Sequence, residues 1–256
     1  SFKFKGKSWS RFNIMVISFL QFCRDINPWS IWDSCDLIFQ MYQDFNNCLI
    51  NDSYPLDPLV PVFQEMTEYV IPIASTLDSN YLSIGTKKYQ FLSFSSSVIS
   101  KLFNSIKSSR VNDEYASQRG SIPEFPEKQK ILLYLVNKLN NIYFQIDSPQ
   151  LCFNVFKNFK PKSMITRFSD YPIKEQIEYR YLLGRYYLLN DRVTNAFSQL
   201  NNAYTLLTRL CEKANLFGFP QVRRNLVRIL RYLIPTGLIM GKLPKFDMIR
   251  MLDPSL

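Results

Sequence analysis

Between Ile177 and Leu210 the chain places small and large apolar residues at a spacing suited to two closely crossing helices. Leu183-Gly184 is followed by Tyr187, and then by Ala196, Leu200 and Ala203. Gly184 and Ala196 remove side-chain bulk so that two backbones can approach, while Tyr187 and Leu200 fill the space beside the contact. Asn190-Asp191 supply the turn, because both residue types tolerate left-handed backbone and close short turns with their own side chains. Two antiparallel helices are the expected product. Such a pair cannot bury its apolar faces alone and must stack on neighbours.

The remainder of the chain reads the same way. Only 7 of 256 residues are Gly, and alternating apolar runs joined by Asn-Gly or Asp-Gly turns, the mark of hairpin strands, are missing. Apolar residues recur at three and four from Phe12 to Ile26, where Asn27-Pro28 stops the helix. Asp33 or Ser34 is expected to cap a second helix reaching Ile50, and residues 51–61 with three Pro form a loop. A third helix spans Val62–Leu77, bent or split at Pro72, and a fourth spans Thr86–Ile106. Residues 108–126 are polar, contain Gly120, Pro123 and Pro126, and read as a linker. This divides the chain into an N-terminal helical-repeat region at 1–107, the linker, and a second helical region at 127–256. Beyond the linker come a helix at Glu127–Ile146, a short one opened by Ser148-Pro149, the hairpin, and a last helix ending at Ile234 before Pro235. The fold class is all-α, a solenoid of helical hairpins.

Chemistry is scarce. No histidine occurs, which removes the usual general base at neutral pH, the Ser-His and Cys-His nucleophile pairs and most zinc sites. Glu65/Glu68 and Glu175/Glu178 sit at helix-surface spacing rather than as an acid-base pair. Gly237 to Lys242 lacks the length of a phosphate loop, and Leu243 stands where Ser or Thr would hold magnesium. We therefore expect no catalytic, cofactor-binding or metal residues and no enzyme. The five Cys form no CxxC pair and lie among apolar residues, as small buried hydrophobes in a reducing compartment would. No run is long and apolar enough to span a membrane.

Charge points to partners instead. Thirty-one Lys and Arg against 21 Asp and Glu give +10, a field that concentrates polyanions near the surface. The sharpest candidate is the helix from Val222 to Leu233. At about 100° per residue, Val222, Leu226, Ile229, Leu230 and Leu233 share one side, and Arg224, Arg228 and Arg231 lie opposite with Arg223 at the edge. Lys242, Lys245 and Arg250 extend the positive run. Arg suits phosphate because its planar fork bonds two oxygens at once. The same pattern also describes an ordinary solvated helix face. Lys157, Lys160, Lys162 and Arg167 make a weaker patch, and Lys3, Lys5 and Lys7 a basic N-terminal arm. Trp29 and Trp32 are expected to pack the loop between the first two helices, since large aromatics usually bury; an exposed patch for a partner is the alternative.

The hairpin's spacing resembles the tetratricopeptide repeat, with Arg180 where the repeat opens on Trp and Thr208 where it closes on Pro. Tyr179 to Asn190, followed by Ala196-Phe197, Leu200-Asn201, Ala203-Tyr204, Arg228 to Pro235 and Gly241 to Pro244, resembles the PCI-domain family, the scaffold subunits of the proteasome lid, the signalosome and a translation-initiation complex. Lys130 to Phe144, Ser148 to Leu151, Asn158 to Lys162, Asp36 to Phe39 and Asn47 to Asp52 are similar to the fungal PCI subunit of the nuclear mRNA-export complex, the second TREX complex. The resemblance implies a non-enzymatic scaffold in the nucleus, associated with the nuclear pore, that couples transcription to mRNA export. It implies a larger PCI-bearing scaffold and a small, acidic, disordered subunit as partners, with RNA or DNA bound by the assembly. It also implies further helices and a winged-helix module after Pro244, which this chain is expected to lack.

Overall fold

The computed structural model describes residues 9–50, 57–108, 127–159 and 168–245. The basic arm at Lys3–Lys7, the first part of the 51–61 loop, residues 109–126 of the linker, Lys160, Lys162, Arg167 and Arg250 lie outside the described residues. Within them every regular element is helical and no strand occurs, so the all-α expectation holds. In chain order the helices are α1 (Ser10–Asp25), α2 (Ile31–Leu49), α3 (Val60–Ser79), α4 (Tyr81–Ile84), α5 (Gln90–Ser108), α6 (Glu127–Lys130), α7 (Leu132–Gln145), α8 (Cys152–Asn158), α9 (Ile173–Leu189), α10 (Val193–Ala214) and α11 (Pro220–Ile239).

The chain forms two compact units, of which the first runs to Gln150 and takes in α7. This helix packs against α5. It is also tied to α3, where the Tyr134 hydroxyl donates to the Gln64 carbonyl at 3.1 Å and Lys138 Nζ lies 2.8 Å from Glu68 Oε2. A polar, Pro-containing stretch thus joins two helices of one core.

That first core is aromatic. Tyr42 of α2 stacks on Phe63 of α3 at 5.2 Å between ring centroids, and its hydroxyl pairs with Thr67 Oγ1 at 3.0 Å. Phe39 stacks on Phe91 of α5 at 5.2 Å. The buried carboxylate of Asp78, on α3, accepts from the backbone N–H of Phe91 at 3.1 Å and Leu92 at 2.8 Å. An acidic side chain from one helix therefore satisfies donors in the first turn of another, where the helix dipole also favours negative charge.

Three local expectations need correction. The cap of α2 is Ser30, whose side chain accepts from the Asp33 N–H. Ser34 turns back instead, donating to the Asn27 carbonyl at 3.1 Å and accepting from the Asn27 N–H at 2.9 Å. Trp29 is 94% exposed and Trp32 is exposed as well. The tight turn at Asn27, closed by Trp29 and Ser30 N–H donors to Asn27, is too short to fold the indole of Trp29 back onto the helices it joins. Pro235 does not end its helix, and Pro72 does not split the third. α3 runs through Pro72 and α11 through Pro235. Beyond each proline a Thr hydroxyl takes up carbonyls in its own helix: Thr76 donates to Pro72 O at 3.0 Å, and buried Thr236 to Tyr232 O at 2.8 Å and Leu233 O at 2.9 Å. Burial of Thr236 and Gly237 keeps α11 helical past its proline.

In the second unit α9 and α10 form the hairpin, closed by Asn190–Arg192 with Asp191 in left-handed backbone at φ 57°. A Cβ on Gly184 would sit 2.7 Å from Leu200 Cγ, closer than real side chains approach. Ala196, Leu200 and Ala203 are fully buried, Leu183 nearly so, and Tyr187 is half-buried. Arg180, at the repeat's Trp position, bridges the pair: it donates to Gln199 Oε1 at 3.1 Å and lies over the Phe168 ring at 5.0 Å. Burial pushes its guanidinium below the ordinary value.

Candidate nucleic-acid interface

α11 starts where the sequence lets it. Phe219 is extended, and Pro220 takes the first helical position, where a missing N–H costs nothing. Leu226, Ile229, Leu230 and Leu233 then bury against Leu200, Ala203, Leu207 and Cys211 of α10. Burying a stripe of branched side chains contributes roughly 1.5–3 kcal/mol each, which fixes the helix's rotation. The opposite side is thereby committed to solvent. Arg224, Arg228 and Arg231 are exposed on it, with exposed Arg223 at its edge. From Pro220 to Ile239 the helix contains four Arg and no Asp or Glu, so no acidic neighbour within α11 neutralises this face.

The six sequence-predicted cations comprise four exposed Arg on α11 and two Lys in the segment that follows it. After α11 the chain reverses at Gly241, which has φ 73°, and the Lys242 N–H closes on the Gly237 carbonyl at 2.9 Å. This carries Lys242 Nζ over the Phe197 ring of α10 at 4.1 Å from its centroid. Lys242 and Lys245 line a groove of about 340 Å³ whose walls include Phe197, Tyr204, Leu230 and Ile234. Of these, Leu230 and Ile234 belong to α11, where they lie from about a sixth to nearly half a turn round the helix from Arg224, Arg228 and Arg231. The two lysines thus rim an apolar groove, and the arginines occupy exposed positions of α11.

A further cation reaches α11 from α9. Arg185 is half-buried, 5.6 Å from the Tyr181 ring centroid and 5.3 Å from that of Tyr232 on α11. The two rings meet edge-on at 6.0 Å. Burial pushes the Tyr181 hydroxyl up, and the nearby Arg185 and Arg228 draw it back down. The sequence signal was the four-residue spacing of Tyr181 and Arg185, which places them on one helix face.

Among the described residues no group of three or more Cys, Asp or Glu side chains converges as a metal site, and no helix is long and apolar enough to cross a membrane. Four cysteines are buried as expected, and Cys23 is exposed on α1.

No protein-family model matches the chain. It is 53% identical, over 94% of its length, to the nuclear mRNA export protein THP1 of Saccharomyces cerevisiae, and spans half of that protein. It is 28% identical to enhanced ethylene response protein 5 of Arabidopsis thaliana over 46% of this chain and 26% of the relative. Against PCI domain-containing protein 2 of Danio rerio the identity is 25%, over 48% of this chain and 27% of the relative. With a helical fold and identity sustained along nearly its whole length, the chain is similar to one half of THP1 and, more weakly, to PCI domain-containing proteins.

Proposed function

We propose that this chain is a non-enzymatic scaffold in nuclear mRNA export, part of a pore-associated complex that couples transcription to export and binds RNA or DNA with its partner subunits. The export role is supported by the similarity to THP1. The single observation behind the nucleic-acid role is the division of α11 into a buried apolar stripe and an acid-free guanidinium face. A scaffold rather than an enzyme fits a chain without histidine, built from stacked helices. A larger PCI-bearing protein and a small acidic subunit are the proposed partners, and the nucleus is the proposed location. Affinity capture of the full-length protein from nuclear extract tests this reading. Recovery of an export scaffold together with RNA is expected, whereas recovery of proteasome-lid or signalosome subunits in its place overturns it.

A second reading has its own observation. The groove rimmed by Lys242 and Lys245 joins apolar walls to positive charge, a combination that suits an acidic segment with apolar anchors. In that case the acidic subunit occupies the groove and leaves the α11 arginines to nucleic acid. Lys242→Glu with Lys245→Glu is expected to abolish capture of the acidic subunit and leave the larger scaffold bound. Undiminished capture excludes the groove.

A further inference from the structure

We propose that Arg185, held between Tyr181 and Tyr232, is a platform for one unpaired base of single-stranded RNA or DNA, with Arg228 taking the adjoining phosphate. This rests on the reading of α11 as a nucleic-acid surface and adds to it the form of ligand and a residue from a different helix.

The geometry carries it. A free Arg side chain loses much rotamer freedom on binding, and one already held in place loses less. Two rings, one on α9 and one on α11, hold Arg185 at 5.6 and 5.3 Å from their centroids. They stand 62° apart, so they fix the guanidinium from two directions. Unstacked bases settle on guanidinium planes and aromatic rings alike, because every base offers a π face. In a duplex those faces are already covered by neighbouring bases. Arg228 is exposed and stands one helical turn before Tyr232 on α11, so a second cation lies beside the platform, where the phosphate of that nucleotide would run. One nucleotide therefore finds a stacking plane and a phosphate partner in one place, and the acid-free face of α11 continues the track.

The test uses full-length protein and fluorescence anisotropy with labelled oligouridine, oligothymidine and a duplex, each of about 12 nucleotides or base pairs, across a salt series. Arg185→Ala is expected to weaken both single strands about tenfold and to leave the duplex within about twofold. Arg185→Lys keeps the charge without the planar group and is expected to stay nearly as weak as the Ala variant, with its salt slope unchanged. Arg228→Ala is expected to lower the single-strand slope by about 0.7. Tyr232→Phe keeps the ring and is expected to behave as wild type.

Wild-type affinity in the Lys variant, or equal losses on single strands and duplex, overturns the platform. So does an Arg185→Lys variant that loses a protein partner with oligonucleotide binding intact. Arg224→Ala with Arg231→Ala separates the two levels. If that pair weakens every nucleic acid while Arg185→Lys changes nothing, only the platform fails; if that pair is silent, the reading of α11 itself fails. Unequal losses on oligouridine and oligothymidine identify which strand the platform prefers.

Discussion

The Tyr89 hydroxyl donates to Asp147 Oδ2 at 2.6 Å, and both residues hold left-handed backbone, with φ of 60° and 54°. One precedes α5 and the other follows α7, so the bond clasps two turns at the same end of the first unit. Lys88 Nζ, 3.9 Å from the same oxygen and exposed, adds little. Left-handed backbone costs a non-Gly residue roughly 1–2 kcal/mol, and a bond between two such residues helps to offset it. Tyr89→Phe is expected to lower unfolding free energy by about 1 kcal/mol in urea titration. An unchanged midpoint makes the clasp incidental.

Gly184→Ala sets two effects against each other. Alanine gains about 1 kcal/mol of helix propensity, but its Cβ would stand 2.7 Å from Leu200 Cγ and 2.9 Å from Leu200 Cδ2. Overpacking costs roughly 1–3 kcal/mol, so a net loss of about 1 kcal/mol is expected, read as a lower melting temperature. Adding Leu200→Ala is expected to cost less in this background than in wild type, because the clash goes with the side chain. Additive losses contradict the close crossing.

Large aromatics give a contrast within the first unit. Phe63→Ala, at a fully buried position, is expected to cost about 3–5 kcal/mol, while Trp29→Ala, 94% exposed, is expected to stay within about 0.5 kcal/mol. A large loss at Trp29 in chemical denaturation contradicts the exposed turn.

The hairpin was legible because its determinants are local: Gly184, Ala196 and Ala203 are small, regularly spaced, and have no use but close packing. The apolar stripe of α11 was legible for the same reason. What sequence did not disclose depends on partners distant along the chain. Pro235 reads as a stop until Thr236 is seen buried and Gly237 packed against Phe197 of α10. That α7 joins the helices before the polar 108–126 segment shows only in the bonds of Tyr134 and Lys138 to α3. Lys242 continues the Arg run in sequence, yet the reversal at Gly241 sends it to Phe197. Arg185 belongs with Tyr232 only because α9 and α11 both pack on α10.

Thiol reactivity follows from burial. Desolvation pushes Cys152 from an ordinary 9.0 up to about 12. Iodoacetamide at pH 8 is therefore expected to modify exposed Cys23 first and leave Cys152 intact until the chain unfolds, as read by mass spectrometry. The linkage sign is definite: the raised value means the folded state holds its proton while the unfolded state releases it. This contribution is complete below pH 9 and is lost as pH rises toward 12. Rapid labelling of Cys152 in folded protein contradicts its burial.

The guanidinium face of α11 is tested most directly by the salt dependence of RNA binding for wild type and for Arg224→Ala/Arg228→Ala/Arg231→Ala. If these side chains meet phosphates, the log–log slope falls by about 0.7 per lost contact, so by about 2 in the triple variant, and affinity falls with it. A slope equal to wild type contradicts the account, because the face would then be no more than the solvated side of a packed helix.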